Sequence, residues 1–173
     1  TKNGAKYVNT FGEELNESFE GDNRRILMLL SMFHVSIPSM SYKYWLNASL
    51  NYLVDQIDID SKDYISYLEH TAKSFVYDRF LANTPKNYFE MIYLNKGPMT
   101  RDSIDLNLER LKYGAIENNL IFNYCDYLLW LKMKDTDKDT RVKSYEYTFR
   151  SSDEHNYPQN PINANEIRIE DKY

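Results

Sequence analysis

The chain has 173 residues, 42% of them hydrophobic and 27% charged, which suits one globular domain with its own core. A net charge of −5 argues against a stand-alone nucleic-acid binder, because phosphate contacts need clustered Lys and Arg. No apolar run approaches the ~18–20 residues of a membrane span, so no membrane partner is expected; the longest, Ile26 to Leu30, is a short piece of core.

The polar opening Thr1-Lys2-Asn3-Gly4 does not read as a signal peptide, and a start at Thr suggests a cut-out of something longer. The first helix is predicted over 22–35. Asp22 can accept the orphan amide hydrogens of its first turn, and Pro38 stops the pattern. A second fits 40–56, where Tyr42, Trp45, Leu46, Ser49, Leu50, Leu53 and Val54 recur at three- and four-residue steps. A third fits 61–82 after a cap at Asp60 or Ser61, with Tyr64, Ile65, Leu68, Ala72, Phe75, Val76 and Phe80 on one face. A fourth, 85–94, opens with Pro85 in its first turn, where the missing N–H costs nothing.

After the Lys96-Gly97-Pro98 break, Thr100 is expected to cap a helix through about Leu111, ended by Tyr113-Gly114-Ala115. Asn118 to Met133 carries Leu120, Ile121, Tyr124, Tyr127, Leu128 and Leu131, a further amphipathic helix. Short breaks between such periods predict a mainly α fold, a multi-helix bundle or orthogonal helical array, with 1–133 as a helical domain. No fixed-period repeat is present.

The character changes at Lys134. The run Asp135-Thr136-Asp137-Lys138-Asp139-Thr140 starts like a calcium loop but lacks its glycine and terminal glutamate, so it reads as an exposed turn. Beyond it, Val142, Ser144, Glu146 and Thr148 alternate with Lys143, Tyr145, Tyr147 and Phe149. That puts the aromatics on one face of a short C-terminal β-strand, followed by an irregular tail. A lone strand is unstable in water and must pair with something.

Several residues invite a bland reading. His34 and His70 read as structural or surface groups, and Arg24-Arg25 as the solvated edge of a helix start. The single cysteine, Cys125, can make no internal disulfide, which fits a reducing cytoplasm. It is expected as a small buried apolar side chain. The 16 tyrosines are better explained by the codon bias of an AT-rich genome than by a base-stacking surface. The glycines are isolated, so no phosphate loop is present, and no His or Cys spacing offers a zinc site.

The segment with chemistry in it comes directly after the expected strand: Arg150-Ser151-Ser152-Asp153-Glu154-His155-Asn156-Tyr157-Pro158-Gln159-Asn160-Pro161. A strand running into an acid–His pair with a proline three residues on is the opening pattern of ββα-metal, or HNH, nucleases. Phosphodiester hydrolysis needs a deprotonated water, and a neutral imidazole is the side chain suited to make one near pH 7. A neighbouring carboxylate can hold a divalent ion that polarises the phosphate.

Thr148-Phe149-Arg150-Ser151-Ser152, Glu154-His155 and Tyr157-Pro158-Gln159-Asn160-Pro161 resemble the start of the C-terminal nuclease domain of GmrSD-type restriction endonucleases. The stretch Asn118 to Trp130 resembles the helix that precedes that domain, so the likeness covers roughly 118–161. The resemblance implies a bacterial defence protein, a cytoplasmic hydrolase that cuts foreign, often base-modified, DNA. It implies His155 as general base, Glu154 as ligand to Mg²⁺ or Mn²⁺, and Tyr157, Pro158 and Gln159 as shapers of the turn. The partners it implies are DNA, reached through the complete parent, and the parent's remaining domains; a homo-oligomer stays open.

This chain departs from the family pattern in having Asp153 and Asn156 flank the pair, where apolar residues are usual. The Gly-Asn-Leu segment and later Asn that complete the site are missing before Tyr173. The expectation is therefore a truncated parent, with 134–173 as the start of an incomplete nuclease domain, no metal bound to this fragment and no useful activity from it alone. Two competing readings remain: a helical scaffold or protein-interaction module, and an inactive homologue that regulates an intact one.

Overall fold

The computed structural model describes residues 10–11, 21–37, 43–94, 105–112, 115–116, 119–135 and 140–149. The fold is mainly α, and no helix among the described residues is long and apolar enough to cross a membrane. Helix α1 (Gly21–Ser36) lies at the centre and packs against α3 (Ser61–Ser74) and α4 (Asn119–Met133), while α2 (Tyr44–Val54) flanks α3. Met28, Leu29, Met32 and Phe33 of α1 are essentially inaccessible. Phe33 stacks on Trp45 at 5.6 Å and meets the edge of Phe75 at 6.2 Å, tying α1 to its neighbours through offset ring contacts.

Asp60 caps α3 as its spacing predicts, its Oδ1 accepting from Lys62 N–H at 2.8 Å and Asp63 N–H at 3.1 Å. Asp22 does not cap α1. It lies inside the first turn, which opens on Gly21 at φ 64°, and its Oδ2 accepts the Ser61 hydroxyl at 2.6 Å, joining the starts of two helices.

The predicted helix over 61–82 holds to Phe80, but from Phe75 it widens into a π-helical segment, Phe75–Phe80. The segment closes with Leu81 N–H donating to Val76 O at 2.8 Å. The fourth helix starts later than Pro85 suggests. Asn87 Oδ1 accepts from Glu90 N–H at 2.8 Å, and the turn runs on as a second π segment, Glu90–Leu94.

The expected helix over 100–111 is corrected where it is described. Leu106 bridges to Ala82 in antiparallel fashion, with Asn107 N–H donating to Leu81 O at 2.6 Å, and only Leu108–Leu111 turns, as a 3₁₀ helix. Two backbone hydrogen bonds to the 81–83 segment hold this stretch extended, and local propensity yields to them. The capping role expected of Thr100 lies outside the described residues, as do 136–139 of the polar run.

Of the expected strand, Val142 and Lys143 belong to a single helical turn, α5 (Thr140–Lys143). Residues 145–149 run on without joining a ladder among the described residues. The expected facing of the aromatics holds only in part: Tyr145 and Tyr147 are half-buried against the core while Glu146 and Thr148 are exposed, but Phe149 is exposed and Val142, expected on the other face, packs against the core.

Candidate functional site

Glu154 and His155, the residues expected to hold metal and to act as base, lie outside the described residues, as do Tyr157, Pro158 and Gln159. The segment leading to them is anchored by polar contacts and a ring contact. Arg24 Nη2 donates to Tyr145 O at 2.5 Å, Tyr145 OH contacts Asp126 Oδ2 at 3.2 Å, and Tyr147 OH donates to Asn123 O at 2.8 Å. Phe149 then meets the His34 ring edge-on at 5.3 Å. Arg24 is thus a clamp and not a solvated edge, with its side chain only 16% exposed. Its 3.8 Å ion pair with the well-exposed Glu146 adds little in water.

The most polar built feature sits between α1, α3 and α4. Glu69 Oε1 accepts from Arg25 Nε at 3.0 Å and Nη2 at 2.6 Å, and from the Tyr127 hydroxyl. Arg25 Nε also reaches Tyr127 Oη at 3.2 Å. Tyr127 is wholly buried on the apolar face of α4, so this one carboxylate oxygen gathers donors from two other helices. Burial first, then the hydrogen bond to Glu69, pushes the Tyr127 phenol well above its ordinary value, so it stays a neutral donor.

Beside this network lies an open cavity of about 280 Å³ lined by Glu69, His70, Lys73, Tyr124, Tyr127 and Leu128. Burial pushes the His70 imidazole below its usual value; Asp78 pulls it back up, and Lys73 and Lys86 push it further down. A neutral imidazole can accept a proton, but the lining carries no serine or cysteine to activate, and Glu69 is spent on Arg25 and Tyr127. The arrangement is a clamp and not a catalytic triad.

A third polar group ties the π-helical end of the third helix to the turn at Lys86. Asp78 is buried, and its Oδ2 accepts the Ser74 hydroxyl at 3.0 Å and Lys86 Nζ at 3.3 Å. Among the described residues, no group of three or more His, Cys, Asp or Glu side chains converges to hold a metal ion. Cys125 is exposed on α4, correcting the expectation of a buried thiol.

Sequence reasoning missed the Arg25–Glu69–Tyr127 network because its members lie 44, 58 and 102 positions apart. The available signal was a tyrosine at an inward position of α4, which demands a polar partner for its hydroxyl. No family model matches the chain, and no curated protein or solved structure matches it.

Proposed function

We propose that this chain is part of a bacterial, cytoplasmic, GmrSD-like restriction endonuclease that cuts DNA with a divalent metal. In this reading 1–133 is the helical connector and 134–173 opens an HNH-like nuclease domain. The observation that carries the reading is the run of alternating aromatics into Glu154-His155 and Tyr157-Pro158-Gln159-Asn160-Pro161. His155 takes a proton from the attacking water, and Glu154 offers a hard carboxylate oxygen of the kind Mg²⁺ or Mn²⁺ prefers. The metal, when bound, polarises the phosphate and stabilises charge on the leaving oxygen. One carboxylate is too few ligands for either ion, so the remaining ligands come from other segments of the parent.

The seating of Tyr145 and Tyr147 on α1 and α4 supports this reading, because a nuclease opening must leave its connector from a fixed place. The test is cleavage of modified and unmodified duplex DNA by the full-length parent polypeptide with Mg²⁺ or Mn²⁺. Cutting that disappears in His155→Ala and Glu154→Gln supports the reading. A folded parent without metal-dependent cutting, or with cutting indifferent to His155, removes it. The 173-residue fragment alone is expected not to cut.

One observation favours a second reading, that of a protein-interaction module. Leu50 and Val54 of α2, and Phe122, Leu128 and Leu129 of α4, are large apolar side chains left exposed. Under this reading a protein partner binds the helical surface and metal makes no difference.

A further inference from the structure

The second cavity of the fold, about 240 Å³, lies where the first π segment, the turn after it and Arg110 meet. Its walls include Phe75, Phe80, Pro85 and Tyr88, and its charged groups are the guanidinium groups of Arg79 and Arg110. No carboxylate lines it, and neither arginine has an acidic partner within ion-pair distance among the described residues. The larger cavity is the opposite case, since Glu69 lines it and already engages Arg25.

Both arginines are held in place without being used up. Arg79 Nη1 donates to Lys86 O at 2.7 Å, and Arg110 Nη1 donates to Phe80 O at 2.5 Å. A guanidinium carries five N–H donors, so most of each fork stays available. Arg79 also lies over the Tyr88 ring at 4.2 Å; that ring stacks on Tyr44 at 3.8 Å and makes a T-shaped contact with Phe75 at 5.2 Å. Such a stack fixes the guanidinium before any ligand arrives and lowers the entropy cost of binding.

The π widening contributes to the same end. With hydrogen bonds in the i→i+5 register, Phe80 comes into line with Phe75 and faces the same space as Arg79, which an α-helical turn would not arrange. Two cations and several aromatic rings lining one small cavity match a compact anion joined to a flat ring.

We propose that this cavity binds a small phosphate monoester carrying one aromatic ring, its phosphate shared by Arg79 and Arg110 and its ring set against Phe75, Phe80 and Pro85. Planar guanidinium forks suit phosphate oxygens. The cavity falls below the ~300–1,000 Å³ of drug-sized sites, which limits the ligand to about one ring and one phosphate. The site is independent of the nuclease reading, because no residue of it falls within 145–161.

The test is a titration of the isotope-labelled, full 173-residue chain with phenyl phosphate, followed by backbone amide shifts. Saturable shifts confined to 75–88 and the neighbourhood of Arg110 are expected. Inorganic phosphate and phenol should each bind at least about tenfold more weakly, a factor worth about 1.4 kcal/mol. Arg110→Gln and Arg79→Gln should each weaken phenyl phosphate by a similar factor, while Arg110→Lys keeps the charge and loses the fork. Adenosine monophosphate shows whether a nucleoside monophosphate fits as well as a simple aryl phosphate.

Phenyl phosphate shifts that do not saturate or fall elsewhere overturn the proposal. So does inorganic phosphate binding as tightly as phenyl phosphate, or folded Arg110→Gln binding unchanged. If both arginine variants fail to fold, the shift map and the ligand ranking on the unaltered protein decide the matter.

Discussion

Tyr127→Phe isolates the polar clamp with the least change in shape. The phenol is fully buried, donates to Glu69 and receives Arg25 Nε at 3.2 Å. Removing the hydroxyl leaves Glu69 paired with Arg25 at 2.6 Å, so no charge is stranded. A hydrogen bond to a charged group contributes about 1.5–3 kcal/mol. Glu69 and Arg25 keep about 30% of their side-chain surface in water, 30% and 32%, so the lower part of that range applies and the expected loss is about 1.5–2 kcal/mol. At about 2–4 °C per kcal/mol for a chain of this size, the melting point should fall by roughly 3–8 °C.

Tyr67→Phe is the control, because its hydroxyl donates to a neutral acceptor, Ala48 O, at 3.0 Å, and should cost only about 0.5–1.5 kcal/mol. Urea denaturation of both variants, and of Tyr127→Phe combined with Glu69→Gln, measures the coupling directly. Equal losses for Tyr127→Phe and Tyr67→Phe, with no coupling to Glu69, would refute the argument. The linkage adds a second readout. The folded-state phenol titrates above its unfolded value of 10.0, so stability holds below that pH and falls as pH rises above about 10. Part of that fall should vanish in Tyr127→Phe.

Other consequences are simpler to state. His70 titrates below 6.5 in the folded chain, so the unfolded chain takes up its proton first and stability should decline as pH falls below about 6.5; urea midpoints across that window should be flatter for His70→Gln. Phe33→Ala empties a fully buried ring site between α1, Trp45 and Phe75 and should cost about 3–5 kcal/mol by the same denaturation. Cys125 is exposed, so a thiol reagent should label the native protein as readily as the unfolded one; a protected thiol would contradict its place on α4. Tyr147→Phe removes the hydroxyl that donates to Asn123 O at 2.8 Å, and hydrogen exchange should quicken over 145–149 while the α1 amides stay protected.

The helices that were legible are those whose apolar side is fixed by a single period. The 22–35, 40–56, 61–82 and 118–133 patterns meet helices at Gly21–Ser36, Tyr44–Val54, Ser61–Ser74 with its π extension Phe75–Phe80, and Asn119–Met133. The side of α4 that faces inward was less legible. That helix is apolar around much of its circumference, so Leu128 and Leu129 are exposed while Asn123 and Tyr127 are buried. Asn123 holds its buried place through a 2.9 Å bond to the Ser36 hydroxyl, a partner 87 positions away that no local window reveals. Arg24 and Arg25 were misread for the same reason, since charge beside a helix start looks solvated until Tyr145 and Glu69 are brought to it. The π segments escaped because their i→i+5 bonds depend on tertiary packing. The Glu154-His155 pattern was legible as a string alone, and it lies outside the described residues.

Under the proposed nuclease reading, the anchor at Phe149 sets a limit on what the segment beyond it can do. Phe149 is held beside His34, and His155 lies six positions beyond it, so the chain can carry the His155 Cα no farther than about 22 Å from the Phe149 Cα. A reach of that length would confine the proposed base to a region without aiming it. General-base catalysis yields its ~10²–10⁴ only with the base in hydrogen-bond reach of its water, and a working site needs its groups held to about 0.5 Å. If the proposed nuclease reading is right, the Tyr145 and Tyr147 contacts fix only where the segment leaves α1 and α4, and the aiming of His155 falls to further packing. This yields an ordered expectation for the full-length parent: Tyr147→Phe should lower cleavage by no more than several-fold, because it loosens the anchor alone, whereas His155→Ala should abolish it. Equal losses in the two variants, with both proteins folded, would mean that the anchor itself aims the base, and this division of labour between anchor and base would be wrong.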